Sequence, residues 1–228
     1  MDLLASPRGG DVLDASRTMY PSRLTVLTSG STRVGADTSS IYGFVVRGEA
    51  RIATDALTMS LAPGAFFGLP GALQIDADGA VVVIERFGFR TLPLAGAIEA
   101  TGRLAYIDGC SDSILCMPPR LGDPVLNHLH FPAGIVQTPH SHPSIRLGVV
   151  ARGRGLAYGP AVAGGKAWEL PLETGAVFCL REHEVHAFKT TRGESMDVIA
   201  YHPDSDWGPT DGVHPMLNRT YISRAPRD

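Results

Sequence analysis

The chain has 228 residues, 44% of them hydrophobic and 19% charged, and a formal net charge of −3. These values are typical of a globular protein with a sizeable core, and they argue against an electrostatic nucleic-acid binder or a basic membrane-surface patch. Residues 1–8 lack a basic region followed by an apolar core, and no apolar run approaches the ~20 residues of a membrane span. We therefore expect a cytoplasmic location, with the three cysteines, Cys110, Cys116 and Cys179, as reduced thiols.

Residues 1–22 show weak periodicity and are predicted to form an arm or a short strand. From Leu24 the chain falls into short apolar runs separated by Gly, Pro, Asp and Ser. Examples are residues 24–27, 42–46 and 80–84. The 26 glycines and 17 prolines suit tight turns between strands. This spacing predicts an all-β sandwich or barrel.

The order of turns and strands occurs twice. Residues 45–52 and 61–70 read as strand, Gly turn, strand, Pro-Gly turn and strand. Residues 149–156 and 172–178 repeat that order about 110 residues later, which predicts two copies of one β-unit.

A pair of histidines stands out in the second copy. In an extended strand, alternate side chains share a face, so His140 and His142 would point the same way about 7 Å apart. Two imidazoles at that spacing can chelate one metal ion, and a third from a neighbouring strand would complete the ligand set. The candidate third ligand is His186.

These segments resemble the two motifs of the cupin superfamily. The first motif reads His-x-His, three residues, Glu, six residues, Gly; the second reads Gly, a short strand, a turn and His. His140, His142 and Gly153 match the first motif, and Gly175 and His186 match the second. The Glu of the first motif is absent, and Arg146 stands in its place.

The resemblance implies an all-β fold of two tandem cupin (jelly-roll) barrels, a bicupin, covering most of residues 24–203. Residues 1–105 would form a degenerate N-terminal barrel, because Ile75 stands where its third ligand would be and no histidine precedes His128. That barrel would support the second or contribute to a homodimer interface. Residues 106–228 would form the metal-binding barrel. Its ligands His140, His142 and His186 would hold a divalent metal, foremost Fe(II), with Mn, Ni, Zn and Cu as alternatives.

Arg146 cannot ligate a metal, because its guanidinium stays protonated and has no free lone pair. If the strand stays extended past Pro143, Arg146 points towards the metal and would clamp a substrate carboxylate. The alternative is that Arg146 turns aside to pair with a structural acid such as Glu184 or Asp197.

His128 and His130 share one face of a predicted strand. If that face points into the barrel, either histidine is a candidate acid or base, a fourth ligand, or a hydrogen-bond partner of a ligand. If Leu129 and Phe131 point inwards instead, both histidines are surface residues. His183 and Glu184 lie in a turn and are expected to face solvent.

The tail, residues 202–221, is rich in turn formers. It also carries large apolar and aromatic residues that a disordered tail seldom includes: Trp207, Met216, Leu217 and Tyr221. We expect it to be ordered and packed on a barrel or a partner subunit, with Trp207 or Arg219 as candidates for closing the pocket.

Three neutral histidines leave a metal its full charge and several open positions. Within the cupins this resembles the three-His dioxygenases, which implies a non-haem Fe(II) enzyme acting on a small, anionic, carboxylate-bearing molecule. In that reading Arg146 orients the substrate. One alternative is a metal-dependent isomerase, lyase or hydrolase with His128, His130 or His183 as the base. The other is a non-catalytic sensor that binds a small ligand.

Overall fold

A computed structural model describes residues 1–160 and 167–205 of the chain. This part is built from β-strands, with the short 3-10 turn Ile107–Gly109 as its helical element, which confirms the predicted all-β class. No helix in the described ranges is long and apolar enough to cross a membrane. The chain begins with strand β1 (Asp2–Leu4).

Ten strands form the N-terminal barrel. They are β2 (Val12–Ala15), β3 (Ser22–Leu27), β4 (Gly30–Val34), β5 (Ser40–Val45), β6 (Ala50–Ala53), β7 (Thr58–Leu61), β8 (Ala65–Pro70), β9 (Leu73–Ala77), β10 (Val81–Arg86) and β11 (Leu94–Ala97). A six-stranded sheet has the order β11-β8-β5-β10-β3-β2 and faces a four-stranded sheet of order β4-β9-β6-β7. The interior between them is filled by apolar side chains, among them Ile41, Ile52, Phe67, Leu73 and Ile75.

The C-terminal barrel follows. Its strands are β12 (Leu104–Ala105), β13 (Ser111–Cys116), β14 (Val125–Phe131), β15 (Arg146–Gly159), β16 (Trp168–Glu173), β17 (Val177–Leu180), β18 (Ala187–Lys189) and β19 (Met196–His202). The long strand β15 takes part in both walls. Its first half pairs with β17 and β19, and its second half pairs with β16 and β18. The barrel is therefore closed around one continuous strand.

Matching turns and close contacts mark the two barrels as copies of one unit. In each barrel a glycine lies under a phenylalanine on the neighbouring strand. A Cβ at Gly43 would come 2.2 Å from the Phe67 ring, and one at Gly148 would come 2.4 Å from the Phe178 ring. Gly64 and Gly175, the turn glycines of the sequence repeat, have φ of 86° and 92°, a conformation that favours glycine.

Continuous apolar runs form the central strands because both faces of these strands are buried. In β10, Val81 and Val83 face the interior of the N-terminal barrel, whereas Val82 and Ile84 face the other barrel. The shared core between the barrels draws on both units. Within it the Tyr42 and Tyr201 rings lie 5.3 Å apart, centroid to centroid.

Strand β1, in the predicted arm, pairs with β17 of the second barrel, in the register Leu3 with Phe178. Strand β12 likewise pairs with β13. Two strands within residues 1–105 therefore hydrogen-bond to the sheet of the second unit, and the domain boundary at 105 stays a prediction. All three cysteines are free and buried.

Replacing Phe67 with Ala should destabilise the protein by about 3–5 kcal/mol, because the fully buried ring covers Gly43 and its loss leaves a cavity. Urea unfolding followed by circular dichroism measures this loss. The control Leu92→Ala, at a side chain that is 66% exposed, should change the free energy of unfolding by less than about 0.5 kcal/mol. Equal losses in the two variants would contradict the assigned interior.

Candidate metal centre

The three predicted ligands lie together at one end of the C-terminal barrel. One ligand nitrogen from each of His140, His142 and His186 lies within 4.8 Å of the others. The ring centroids are 4.7 to 5.2 Å apart. In residues 1–160 and 167–205 this is the one group of three or more His, Cys, Asp or Glu side chains close enough to hold a metal ion.

Backbone hydrogen bonds, rather than a continuous strand, position these histidines. His140 and His186 form an isolated bridge in which each amide donates to the carbonyl of the other, at 2.9 Å in both directions. The amide of His183 donates to the carbonyl of His142 at 2.7 Å. The loop of residues 132–145 is thereby fastened to the turn that carries His186.

Hydrogen bonds to carbonyl oxygens fix the tautomers of two of the rings. His140 Nδ1 lies 3.0 Å from the Thr138 carbonyl oxygen, and His186 Nδ1 lies 2.8 Å from that of Glu184. A carbonyl oxygen can only accept, so each Nδ1 carries the hydrogen and each Nε2 keeps its lone pair. Ligating histidines commonly have this arrangement. The donor set therefore fits a divalent metal ion.

Electrostatics keeps all three imidazoles neutral. Burial lowers the pKa of His142 to about 2 and that of His186 to about 4, and it also lowers the pKa of His140. The positive charge of Arg146 acts in the same direction on each of them. At neutral pH the three lone pairs are consequently available for a metal.

The cavity beside the three histidines is small. Its volume is about 20 Å³, which is roughly the room that one water molecule needs. Phenylalanine and aliphatic side chains supply most of its wall. The lining residues are Tyr106, Leu129, Phe131, Gln137, His140, His142, Arg146, Phe178, Leu180, His186, Phe188, Val198, Ala200 and His202.

Arg146 lines this cavity, although a bend at Pro143 and Ser144 interrupts the strand expected there. Its Nη1 donates to the carbonyl of Ile145 at 2.9 Å and to the Ser144 hydroxyl at 2.5 Å. Among the described residues, the carboxylate that pairs with this nitrogen is Asp204, with Oδ1 at 3.8 Å.

Arg146 does lie beside a structural acid, as the alternative held, but that acid is Asp204 and not Glu184 or Asp197. Glu184 pairs with the amino group of Met1, and Asp197 pairs with Arg152 and with two histidines. Both acids are thus held on other elements.

The structure places neither His128 nor His130 in the cavity, which corrects their assignment as catalytic residues. Strand alternation in β14 turns Leu129 and Phe131 inwards, so the histidines face the opposite side of the sheet. They are not surface residues either. His128 Nε2 and His130 Nδ1 lie 2.9 and 2.8 Å from the same oxygen of Asp197, and His128 is fully buried.

Sequence reasoning missed His202, which ends β19 and lines the cavity with its ring centroid 6.1 Å from that of His142. Val198 and Ala200 precede it on the inward face of the strand. Alternation places His202 on the same face as Val198 and Ala200, but both faces of β19 are buried, so the sequence did not show that this face points inwards. His183 is exposed, as expected for its turn.

The strand pairings also refine the comparison with the first barrel. Val34 lies six residues before the start of β5, and His140 likewise lies six residues before the start of β15. Val34 pairs with Leu73, and His140 pairs with His186. Ile75, the predicted position of the third ligand, lies eight residues after Phe67 as His186 lies eight residues after Phe178, and both Ile75 and Leu73 are buried apolar side chains of the N-terminal barrel. The predicted ordering of the tail, with Trp207 and Arg219, lies outside the described residues.

A second polar feature lies on the inner face of the metal-binding barrel, where Asp112 stands opposite Leu129. Asp112 is fully buried, and burial raises its pKa to about 7. The amide nitrogen of Asn127 donates to its Oδ2 at 2.8 Å. Among the described residues, neither Asp112 Oδ1 nor Asn127 Oδ1 has a partner. A proton on Asp112 would convert one of these two acceptors into a donor. The surroundings of Asp112 therefore favour its protonated, neutral form over the carboxylate.

Several solved structures resemble this chain in fold. A cupin 2 conserved barrel domain protein from Leptotrichia buccalis gives a TM-score of 0.61 at 16% identity, covering 88% of this chain and 95% of its own. Oxalate decarboxylase from Bacillus subtilis, studied for its Mn(II) centres, gives 0.56 at 10% identity, covering 86% and 73%. A salicylate 1,2-dioxygenase from Pseudaminobacter salicylatoxidans gives 0.58 at 12% identity, covering 79% and 70%.

No family model and no curated protein matches the sequence. At these identities the structural likeness shows the fold alone. The predicted fold class, all-β with jelly-roll barrels like those of the structural neighbours, is confirmed, and a three-histidine group lies in the second barrel.

The free energy of unfolding should fall as the pH rises from about 4 to about 7, with a contribution from Asp112 on the order of 3 kcal/mol. The folded state holds this proton up to a pKa of about 7, whereas the unfolded carboxyl releases it near its ordinary value of 3.8. Asp112→Asn should remove this contribution, since an amide cannot ionise. Urea unfolding of wild type and variant at several pH values measures the difference.

The control Asp55→Asn, at an exposed carboxylate, should show the same dependence of the free energy of unfolding on pH as wild type. A pH profile of the free energy of unfolding for Asp112→Asn that is parallel to that of wild type would show that Asp112 has the same pKa in the folded and unfolded states, and would contradict the raised pKa.

Proposed function

We propose that this protein is a metal-dependent cupin enzyme, and more narrowly a three-His non-haem Fe(II) dioxygenase that acts on a small carboxylate-bearing molecule. The observation that carries the proposal is the set of three neutral imidazoles whose lone pairs meet beside a buried cation. Fe(II) bound by His140, His142 and His186 would supply open coordination positions and the capacity to activate O₂.

Other residues of the cavity would bind and orient the substrate and exclude water. Arg146 is held by hydrogen bonds to the two residues before it, Ser144 and Ile145, so its positive charge is in place before a substrate arrives. It would bind the substrate carboxylate and orient the rest of the molecule towards the three histidines. The aromatic wall of Phe131, Phe178 and Phe188 would exclude water from the reacting atoms.

Arg146, the one cation among the described residues that line the cavity, favours an anionic substrate over a neutral one. Two of the structural neighbours are named for carboxylates, oxalate and salicylate, which supports the same substrate class. These neighbours carry out different reactions, so the fold does not select between them.

A second candidate is a metal-dependent lyase or isomerase, and the position of His202 favours it. An additional imidazole in the cavity wall offers a proton acceptor for chemistry that consumes no O₂. Oxygen uptake by the Fe(II)-loaded protein with a panel of small carboxylic acids separates the two. Turnover without O₂ would support the second candidate.

Metal content is the first test of the proposed centre. Protein purified without a His tag and treated anaerobically with Fe(II) should hold about one metal ion per chain, as measured by inductively coupled plasma mass spectrometry. His186→Ala should lose most of it, because two imidazoles bind far more weakly than three. His183→Asn, in the same turn but outside the ligand group, should bind as wild type does. Equal metal content in both variants would refute the centre.

Arg146→Gln tests the substrate clamp. It should leave the metal content unchanged and lower kcat/KM for a carboxylate substrate by roughly 10- to 100-fold, mainly through KM, because a hydrogen bond to a charged group contributes about 1.5–3 kcal/mol. Steady-state oxygen uptake measures both constants. Arg51→Gln, an exposed arginine of the N-terminal barrel, is the matched control. An unchanged KM in Arg146→Gln would remove Arg146 from substrate binding.

A further inference from the structure

A carboxylate stands beside the buried cation of the site. Asp204 lies two residues beyond His202, and its Oδ1 is 3.8 Å from Nη1 of Arg146. The Ser144 hydroxyl joins the two charges, since it accepts a hydrogen bond from Arg146 and donates one to Asp204. Ser144 is itself 1% exposed, so this bridge is shielded from water.

Asp204 also lies near the other barrel. After burial of the ring, the negative charge of Asp204 is the largest cause that raises the pKa of Tyr20, in the turn before β3. The carboxylate thus has a hydrogen bond from the Ser144 hydroxyl and lies close to a side chain of the N-terminal barrel.

The exposures of the two side chains show which one stands nearer to water. The Asp204 side chain is 22% exposed, whereas that of Arg146 is 10% exposed. Asp204 is the more exposed partner and is not among the residues that line the cavity, so it pairs with the guanidinium of Arg146 from outside the cavity. An anion that binds Arg146 comes within a few ångströms of this second negative charge, and in a partly buried site that repulsion is weakly screened.

We infer that Asp204 is a specificity-determining residue of the metal site, an internal carboxylate that lowers the affinity of Arg146 for simple anions. For a molecule whose only binding group is a carboxylate, the attraction to Arg146 is too weak to outweigh the repulsion from Asp204. A molecule with a second group that coordinates the metal gains from both contacts at once. The substrate class is therefore a small bifunctional carboxylate, and this inference rests on the proposed role of Arg146.

The experiment measures the binding of formate to the metal-free protein by isothermal titration calorimetry. Formate supplies a carboxylate without a second ligand group, and formamide is its neutral isostere. Asp204→Asn should bind formate about tenfold more tightly than wild type, because one nearby negative charge is gone. The affinity for formamide should stay unchanged.

Three further variants separate charge from shape and fold. Asp204→Ser, a second neutral replacement, should behave as Asp204→Asn does. Asp204→Glu keeps the charge and should stay within about twofold of wild type. Asp55→Asn makes the same change of net charge at an exposed position of the N-terminal barrel and should have no effect. Thermal unfolding of each variant verifies that it is folded.

Formate affinity that is equal in wild type and in both neutral variants would overturn the inference, as would an equal gain for formamide. Arg146→Gln distinguishes this failure from that of the proposed function. If formate binding depends on Arg146 but not on Asp204, the clamp stands and the inference fails. If formate binding does not depend on Arg146, the clamp itself fails.

Discussion

The reciprocal hydrogen bonds between the backbones of His140 and His186 hold the candidate site together. They join a loop without regular structure to the turn after β17, and they do so at the two residues that present imidazoles. The side chains then need only short contacts to carbonyl oxygens to expose their Nε2 lone pairs. A metal site with three ligands is possible here because the backbone itself sets the distance between two of them.

The two barrels share backbone features but differ in the side chains that fill their interiors. Both place a phenylalanine over a glycine on the neighbouring strand and both turn at a glycine with positive φ. The N-terminal barrel fills the remaining interior with aliphatic side chains. The C-terminal barrel keeps imidazoles, an arginine and the Asp112–Asn127 pair on its inner face. Packing in the first barrel and through the shared core offsets the cost of these buried polar groups in the second.

Charge is separated across the central sheet of the second barrel. On the inner face burial, with a smaller contribution from the charge of Arg146, keeps the three imidazoles neutral, and Arg146 forms an ion pair with Asp204. On the opposite face Asp197 binds His128, His130 and Arg152, which places a second polar cluster away from the cavity. Arg146 and Asp197 thus each have a counter-charge on their own side of the sheet, and they do not pair with each other.

The sequence by itself determined the fold class, the repeat and the three-histidine group, because each rests on local spacing: strand alternation, turn glycines and a short motif. Tertiary structure decided which faces point inwards. The inward turn of Leu129 and Phe131 removed His128 and His130 from the cavity, and the end of β19 brought in His202 and Asp204. Period-two patterns name two faces of a strand, but when both faces are buried, as in β14 and β19, hydrophobicity does not distinguish them. Which face of each strand points into the cavity is decided by the packing of one barrel against the other, on the side of the sheet away from the cavity.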